Sequence, residues 1–282
     1  MFAVDSTIKT YLAFRVPRPR VPHAPDPVAG LTGGSTGGSL VESPWPPGVE
    51  VAARCRAGRD GVPGDFFGLF RSGAGRGRSG RHLFGRARLD EERCALVIGD
   101  VCGNGLQAAR VAQAALRTVR EVSRRETAPR RIVDYLNTAM LDAAPDSECF
   151  LTAVCITLRP AVRGYRAVLC SAGHPPVLVR RRDGTVREIT TNGIALGVTA
   201  DPQLNEYRFR LRPGDTLLLY TDGVTEARRR DEQYGEPRLR GHFARVGGLE
   251  PGLVARSVVQ AALDYCDSVV TDDITVVALR VS

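Results

Sequence analysis

Apolar residues recur with two different spacings along residues 49–282. Short apolar or alternating runs predict strands at 49–55, 95–98, 152–158, 165–170, 177–180, 186–189, 207–211, 216–220 and 274–281. Apolar residues at three- and four-residue steps predict helices at 106–124, 130–143 and 251–267. Consecutive short strands joined by turns, with helices between them, favour an α+β fold of antiparallel sheets under helices over a βαβ series.

The first 48 residues lack this periodicity. They are rich in proline, glycine and serine, as in the run 33–39. Such a segment buries too little apolar surface to offset the entropy of ordering it. We therefore expect residues 1–48 to be a disordered tail and residues 49–282 to be one domain. The Arg/Gly-rich stretch 71–93 is predicted to form a long hairpin loop.

Composition argues against several classes of protein. No apolar run approaches the roughly 18–20 residues of a membrane-spanning helix, and residues 1–20 lack a signal-peptide core. A cytoplasmic protein without a membrane partner is therefore expected. The net charge of +8 comes almost wholly from arginine. The arginine runs lack aromatic interleaving, which favours a solvated surface over a nucleic-acid platform.

The seven cysteines are scattered along the chain. None of them has the Cys/His spacing of a structural zinc site, and an odd number does not suit a framework of disulfides. Most lie inside apolar runs, where cysteine behaves as a small hydrophobic residue. We expect them to be reduced and buried.

Aspartates stand where apolar runs break into glycine or another short polar turn. They are Asp65, Asp100, Asp222 and the adjacent pair Asp272 and Asp273. Carboxylates at strand ends project into loop crevices, where glycine lets carbonyl groups and water approach closely. Converging carboxylates repel unless hard cations neutralise them, and all-oxygen ligation suits Mg²⁺ or Mn²⁺. Asp before Gly also makes ordinary turns, but four sites of matched context indicate a metal-dependent hydrolase.

Five motifs, in order along residues 49–282, resemble the bacterial SpoIIE-like branch of the PPM-type metal-dependent serine/threonine protein phosphatases. They are Gly64-Asp65-Phe66-Phe67, Gly99-Asp100-Val101-Cys102-Gly103-Asn104-Gly105, Ser171-Ala172-Gly173-His174-Pro175-Pro176, Leu219-Tyr220-Thr221-Asp222-Gly223-Val224-Thr225-Glu226-Ala227 and Asp272-Asp273-Ile274-Thr275-Val276. The resemblance implies an α-β-β-α sandwich, in which two antiparallel sheets lie face to face with helix pairs outside. It also implies a dinuclear metal site at one edge of the sandwich.

The resemblance also implies roles for individual residues. Asp100 would bridge two Mn²⁺ or Mg²⁺ ions, and Val101 would contribute its backbone carbonyl. The remaining implied metal ligands are Asp65, Asp222 and Asp272. Asp273 is the alternative to Asp272, because it could instead point outward and hold the turn. Catalysis is assigned to Asp100 and Asp65, since a water that the metals acidify becomes the nucleophile at phosphorus.

The implied function is hydrolysis of phosphoserine or phosphothreonine in a protein by a metal-activated water. Within the SpoIIE-like branch, the implied substrate is a phosphorylated STAS-type anti-sigma-factor antagonist of a partner-switching pathway. No nucleic-acid partner is expected, and a homodimer contact stays open.

One alternative is a degenerate phosphatase fold that binds a phosphoprotein without hydrolysing it. Gly68 motivates this alternative, because the family usually carries a carboxylate at this position; Pro63, where the family usually carries a glycine, is a further departure. His174 also has two interpretations, as a general acid for the leaving group or as a residue that hydrogen-bonds backbone between two strands. The second is favoured for His174.

Overall fold

In the computed structural model, two six-stranded sheets lie face to face with helices on both outer surfaces. The structure describes residues 9–14, 38–41, 46, 48–58, 61–71, 93–103, 105–143 and 149–282, with backbone only for 9–14 and 38–41. Most of the predicted hairpin loop at 71–93 therefore lies outside the described residues. Among these residues no helix combines the length and apolar character that crossing a bilayer requires.

The elements follow one another as strands first, then helices between strands. In chain order they are β1 (Lys9–Phe14), β2 (Gly38–Val41), β3 (Val49–Arg56), β4 (Phe66–Arg71), β5 (Cys94–Val101), α1 (Gly105–Ser123), α2 (Pro129–Ala143), β6 (Leu151–Pro160), β7 (Tyr165–Ala172), β8 (Val177–Arg180), β9 (Val186–Ile189), β10 (Tyr207–Leu211), β11 (Thr216–Tyr220), α3 (Asp222–Thr225), β12 (Arg228–Arg229), β13 (Glu232–Gln233), α4 (Gly235–Val246), α5 (Pro251–Tyr265) and β14 (Ile274–Val281).

Two sheets are built from these strands, and neighbouring strands in them are antiparallel except at one edge. Sheet A has the order β1-β3-β14-β11-β8-β9, and sheet B has the order β10-β7-β6-β5-β4-β2. The exception is β2, which pairs with β4 in parallel. Strands β12 and β13 form a separate small hairpin.

Three apolar layers hold the sandwich together. One lies between the sheets and includes Leu96 and Leu219. A second lies between sheet B and helices α1 and α2 and includes Leu116. A third lies between sheet A and helices α4 and α5 and includes Leu218 and Phe243. Because successive strand residues point to opposite faces, Leu218 and Leu219 serve different layers. The layers confirm the predicted α-β-β-α sandwich of two sheets and outer helices.

Two segments within residues 1–48 differ from the predicted disordered tail. The backbone of Lys9–Phe14 pairs antiparallel with β3, and the backbone of Gly38–Val41 pairs with β4. The first segment contains Thr, Tyr and Phe, which favour β-strands. The strand was not predicted because the segment is short and the residues around it have a polar, proline-rich composition. The domain boundary at residue 49 stays a prediction for the rest of the segment.

The sequence patterns also missed five elements inside the domain, namely helices α3 and α4 and strands β4, β12 and β13. Helix α4 is short, contains a proline and a mid-helix glycine, and buries only Leu239 and Phe243, so its apolar period is weak. Strand β4 is buried on both faces along Phe66–Phe70 and therefore shows no alternation. Helix α5 ends at Tyr265, two residues before the predicted end.

Candidate active site

The five aspartates of the motifs lie at one edge of the sandwich. In sheet B, Asp65 directly precedes β4, and Asp100 is the penultimate residue of β5, whose Gly99 pairs with Phe66. In sheet A, Asp222 follows β11 and the pair 272–273 precedes β14. Strands β11 and β14 are antiparallel neighbours, so the end of one adjoins the start of the other. The fold thus brings together the strand ends that the sequence pattern singled out.

Asp65 is the most deeply buried of these carboxylates, with 2% of its surface exposed. Thr221 Oγ1 donates a hydrogen bond of 2.8 Å to its Oδ2, across the gap between the two sheets. Its Oδ1 is buried and has no hydrogen-bond partner among the described residues. Burial raises the pKa of Asp65 well above its ordinary value, and the charges of Asp100 and Asp273 raise it further. A buried carboxylate oxygen without a partner is costly unless a proton or a cation satisfies it.

Thr221 is a site residue to which the sequence analysis gave no role. It is the residue before helix α3, but its side chain makes no capping hydrogen bond there. Instead Oγ1 accepts from the backbone N–H of Thr275 at 2.9 Å and donates to Asp65. No local sequence signal gave this role, because the carboxylate that Thr221 contacts lies 156 residues away along the chain.

Asp273 ties two loops of the site together. Its Oδ1 accepts from the N–H of Gly58 at 2.7 Å, and its Oδ2 accepts from the N–H of Gly64 at 2.6 Å. These bonds lower the pKa of Asp273 but only partly offset burial, so the net direction is upward. Asp273 therefore positions the loop that carries Asp65.

Asp100 stands at the centre of the negative charge. Burial and then the charges of Asp222, Asp272 and Asp273 raise its pKa from an ordinary 3.8 to about 7. Each carboxylate disfavours ionisation of the others. Such mutual repulsion is what divalent cations relieve.

The carbonyl of Val101 adjoins the same loop. A Cβ placed on Gly64 would lie 3.1 Å from Val101 O, so the carbonyl oxygen is next to the residue preceding Asp65. The structure thus places the predicted carbonyl ligand beside one of the predicted carboxylate ligands.

Asp222 and Asp272 form the more exposed side of the site. Burial raises the pKa of Asp222, and the charge of Asp272 raises it further. Gly223 is required here because a Cβ would lie 2.0 Å from the carbonyl oxygen of Asp273. This close backbone approach holds Asp222 against the turn that carries Asp272.

The donor set fits hard divalent cations in its chemistry. Within the described ranges, no three Asp, Glu, His or Cys side chains are drawn together tightly enough to hold a metal ion as they stand. However, the oxygens available are carboxylates and a backbone carbonyl, which Mg²⁺ and Mn²⁺ prefer. The buried, unpartnered Oδ1 of Asp65 and the burial of several carboxylates close together are both consistent with a cation site.

Gly68 does not belong to this cluster. A Cβ on Gly68 would lie 2.5 Å from the ring of Phe70 and 2.8 Å from Leu116 Cδ2 of helix α1. A carboxylate at this position would therefore enter the apolar contact between β4 and α1. The departure from the family pattern at Gly68 leaves the grouping of the five aspartates intact.

His174 connects the two sheets behind the cluster. Its Nδ1 lies 2.9 Å from Thr152 Oγ1, and Thr152 pairs directly with Asp100 in the register of β5 and β6. Burial lowers the pKa of His174 to about 3, and a hydrogen bond with the backbone of Tyr220 offsets part of this effect. His174 is therefore neutral near pH 7 and unsuited to general acid catalysis. The structural interpretation of His174 is the one that fits, with a threonine side chain as the hydrogen-bond partner.

With this geometry established, comparison with known proteins identifies the family. The family model described as Stage II sporulation protein E (SpoIIE) matches residues 90–282, more than half of the chain. The chain belongs to the SpoIIE family. The SpoIIE match includes Asp100, Asp222 and Asp272 but begins after Asp65. The grouping of Asp65 with these residues therefore rests on the fold and not on the family match.

Two relatives carry names that describe an activity. Phosphoserine phosphatase RsbU of Bacillus subtilis is 23% identical over 192 residues, covering 68% of this chain and 56% of RsbU. Phosphoserine phosphatase RsbP of the same species is 25% identical over 145 residues, covering 51% of this chain and 36% of RsbP. The chain thus spans about half the length of RsbU and about a third of RsbP.

Solved structures share the SpoIIE-family fold. The RsbU and RsbW domains of Rv1364c from Mycobacterium tuberculosis match with a TM-score of 0.68 and 21% identity, over 87% of this chain and 62% of that one. The PP2C phosphatase domain of SpoIIE from Bacillus subtilis matches with a TM-score of 0.64 and 18% identity, over 83% of this chain and 64% of that one. RsbX in complex with magnesium matches with a TM-score of 0.58 and 15% identity, over 83% of this chain and 96% of that one. These similarities confirm the PP2C-type sandwich.

Proposed function

We propose that this SpoIIE-family chain is a metal-dependent phosphatase that hydrolyses phosphoserine or phosphothreonine in a protein. The observation that carries the proposal is the aspartate cluster at the sheet edge, where one buried carboxylate has an unpartnered oxygen and neighbouring charges raise the pKa of the others. The names of RsbU and RsbP as phosphoserine phosphatases support it. The proposed location is the cytoplasm.

The proposed metal ligands are the carboxylates of Asp65, Asp100, Asp222 and Asp272 and the carbonyl of Val101. Four carboxylates carry a formal charge of about −4, which two Mn²⁺ or Mg²⁺ ions would offset before a phosphate dianion arrives. When bound, the ions supply an activated water and stabilise the charge that develops on phosphorus. The similar structure of RsbX is a complex with magnesium, which supports the proposal of a divalent ion here.

The chain's own residues hold and orient this donor set. Thr221 fixes the Oδ2 side of Asp65, which leaves Oδ1 as the oxygen directed to a ligand. Asp273 holds the Asp65 loop through the N–H groups of Gly58 and Gly64. Because His174 is buried and neutral, it is not the proposed proton donor to the leaving seryl oxygen.

The proposed substrate is a phosphorylated STAS-type anti-sigma-factor antagonist. This assignment follows the resemblance to the SpoIIE-like branch, and the RsbU and RsbW domains named together in Rv1364c are in keeping with it. Fold and family alone do not determine a substrate, so a comparison of a phosphoserine STAS-type protein with an unrelated phosphoserine protein tests this part. Faster phosphate release from the unrelated protein would contradict it.

Turnover of p-nitrophenyl phosphate tests the metal-dependent activity. The full chain is assayed with Mn²⁺, with Mg²⁺ and with EDTA, alongside Asp222→Asn and the matched control Asp142→Asn, an exposed residue at the end of α2. We expect EDTA and Asp222→Asn each to reduce the rate by orders of magnitude and Asp142→Asn to leave it unchanged. Activity that survives EDTA would contradict the proposal.

The non-catalytic alternative predicts a different outcome of the same assay. It predicts binding of a phosphoprotein without turnover under every metal condition. Its motivation was the glycine at position 68, but that residue faces helix α1 and does not remove a carboxylate from the cluster. The geometry therefore favours the enzyme.

A further inference from the structure

A second charged site lies at the end of the sandwich opposite the aspartate cluster. The hairpin between β8 and β9 and the turn between β10 and β11 enclose an open groove of about 800 Å³. The charged side chains that line it are Arg181, Arg182, Arg187, Arg210, Arg212 and Asp215, with Asp183 at its rim. Strand β11 separates the two sites, because Asp215 precedes it and Asp222 follows it. The five residues of β11 span about 17 Å at the usual rise per strand residue.

A buried ion pair forms the base of this arginine groove. Asp215 is 3% exposed, and its Oδ2 accepts from Arg181 Nη1 at 2.6 Å and from the N–H of Arg212 at 2.8 Å. Arg181 Nη1 also donates to the carbonyl of Arg210 at 2.8 Å. These bonds join a hairpin of sheet A to the edge strand of sheet B, so the groove is a constructed feature of the fold.

Four guanidinium groups around this base are left for a ligand. Arg182, Arg187, Arg210 and Arg212 are exposed, and within the described residues none of their guanidinium groups makes a hydrogen bond or an ion pair. The stem of Arg182 packs over Gly214, where a Cβ would lie 3.1 Å from its Cγ. This contact directs one arginine across the groove.

The positive charge extends onto the outer face of sheet B. Arg210 on β10 pairs with Arg166 on β7. Like charges in directly opposed positions destabilise a sheet. A groove with low-dielectric walls also concentrates the positive potential. An anionic ligand would relieve this repulsion.

We propose that the arginine groove binds an acidic segment of a partner polypeptide. Guanidinium groups recognise carboxylates with planar, bidentate geometry. Among the described residues that line the groove, none is an aromatic side chain on which a nucleobase would stack. Binding here is separate from hydrolysis at the aspartate cluster, so the two proposals fail independently.

Fluorescence anisotropy of a dye-labelled peptide rich in Glu and Asp tests the proposal at about physiological salt. The full chain is compared with Arg182→Glu/Arg212→Glu and with Arg117→Glu/Arg131→Glu. The second pair makes the same charge change on exposed positions of α1 and α2. We expect the groove variant to bind the peptide at least about tenfold more weakly and the control variant to bind within about twofold of the wild type.

Three outcomes would overturn the proposal. One is equal weakening in both variants, which would indicate general attraction to a chain of net charge +8. Another is absence of peptide binding by the wild type, and the third is tighter binding of a labelled single-stranded DNA of equal length. If the groove variant does not fold, as judged by circular dichroism, Arg187→Gln/Arg210→Gln removes charge without reversing it and is expected to weaken binding in the same direction.

Discussion

Replacing Asp100 by asparagine is expected to stabilise the metal-free protein while removing activity. In the folded chain the pKa of Asp100 is raised from 3.8 to about 7, so the folded state keeps a proton that the unfolded chain has released. The stability associated with this proton is fully present below about pH 4 and is lost as the pH rises through 7. The asparagine side chain does not ionise, so the variant escapes this penalty.

The size of the effect follows from the two pKa values. A tenfold change in proton affinity is worth about 1.36 kcal/mol, so the raised pKa corresponds to up to about 4 kcal/mol above pH 7. Burial is the main cause of the raised pKa, and the nearby charges of Asp222 and Asp272 add to it. We expect Asp100→Asn to exceed the wild type by about 2 kcal/mol at about pH 5 and by up to about 4 kcal/mol at about pH 8, with the two converging only below about pH 4.

Urea unfolding in EDTA at several pH values measures this directly. Asp142→Asn serves as the matched control because Asp142 is exposed on α2, and its free energy of unfolding should follow the wild type at every pH. A variant Asp100→Asn with the same pH dependence as the wild type would refute the reasoning. Lower stability than the wild type at about pH 8 would refute it as well.

The remaining predictions concern neighbours of the cluster. Gly68→Asp should lower the free energy of unfolding by more than about 2 kcal/mol, because the carboxylate enters the contact with Leu116; wild-type stability in urea would contradict this. His174→Asn should leave the pH profile of turnover unshifted, because His174 is neutral in the folded protein. The contribution of His174 to stability declines only as the pH falls below about 6.5. A displaced pH profile of turnover would show that His174 transfers a proton in catalysis. Thr221→Val should raise the Mn²⁺ concentration for half-maximal activity because Asp65 loses its donor, whereas Thr221→Ser should not; equal values for both variants would show that the hydroxyl is dispensable.

Much of the sandwich was predictable because its strands and its inner helices carry strong periodic patterns. Strands 177–180, 186–189, 207–211, 216–220 and 274–281 have the predicted bounds. Helix α4 was missed because only two of its side chains enter the core. The pairing of Gly38–Val41 with β4 was not predictable, since four residues in a Gly/Ser-rich segment hold too little local preference and depend on the partner strand.

The candidate site divides in the same way. Asp65, Asp100, Asp222 and Asp272 stand in short motifs whose turn chemistry is local, so their positions could be predicted. The role of Thr221 was not predictable, because its partner Asp65 is 156 residues away and only the packed sheets bring them together. The backbone bonds of Asp273 to Gly58 and Gly64 are long-range for the same reason. The assignment of the metal ligands stays a prediction.

Phosphate release from a phosphoserine protein during a Mn²⁺ titration tests the central claim most directly. The protein is first stripped of metal with EDTA, and the wild type is compared with Asp100→Asn at equal concentrations. We expect the wild type to regain activity as Mn²⁺ is added, and the variant to stay below about a tenth of that rate at saturating Mn²⁺, since loss of a metal-activated water costs orders of magnitude. Metal-independent release by the wild type, or a variant as active as the wild type, would contradict a phosphatase centre built on these aspartates.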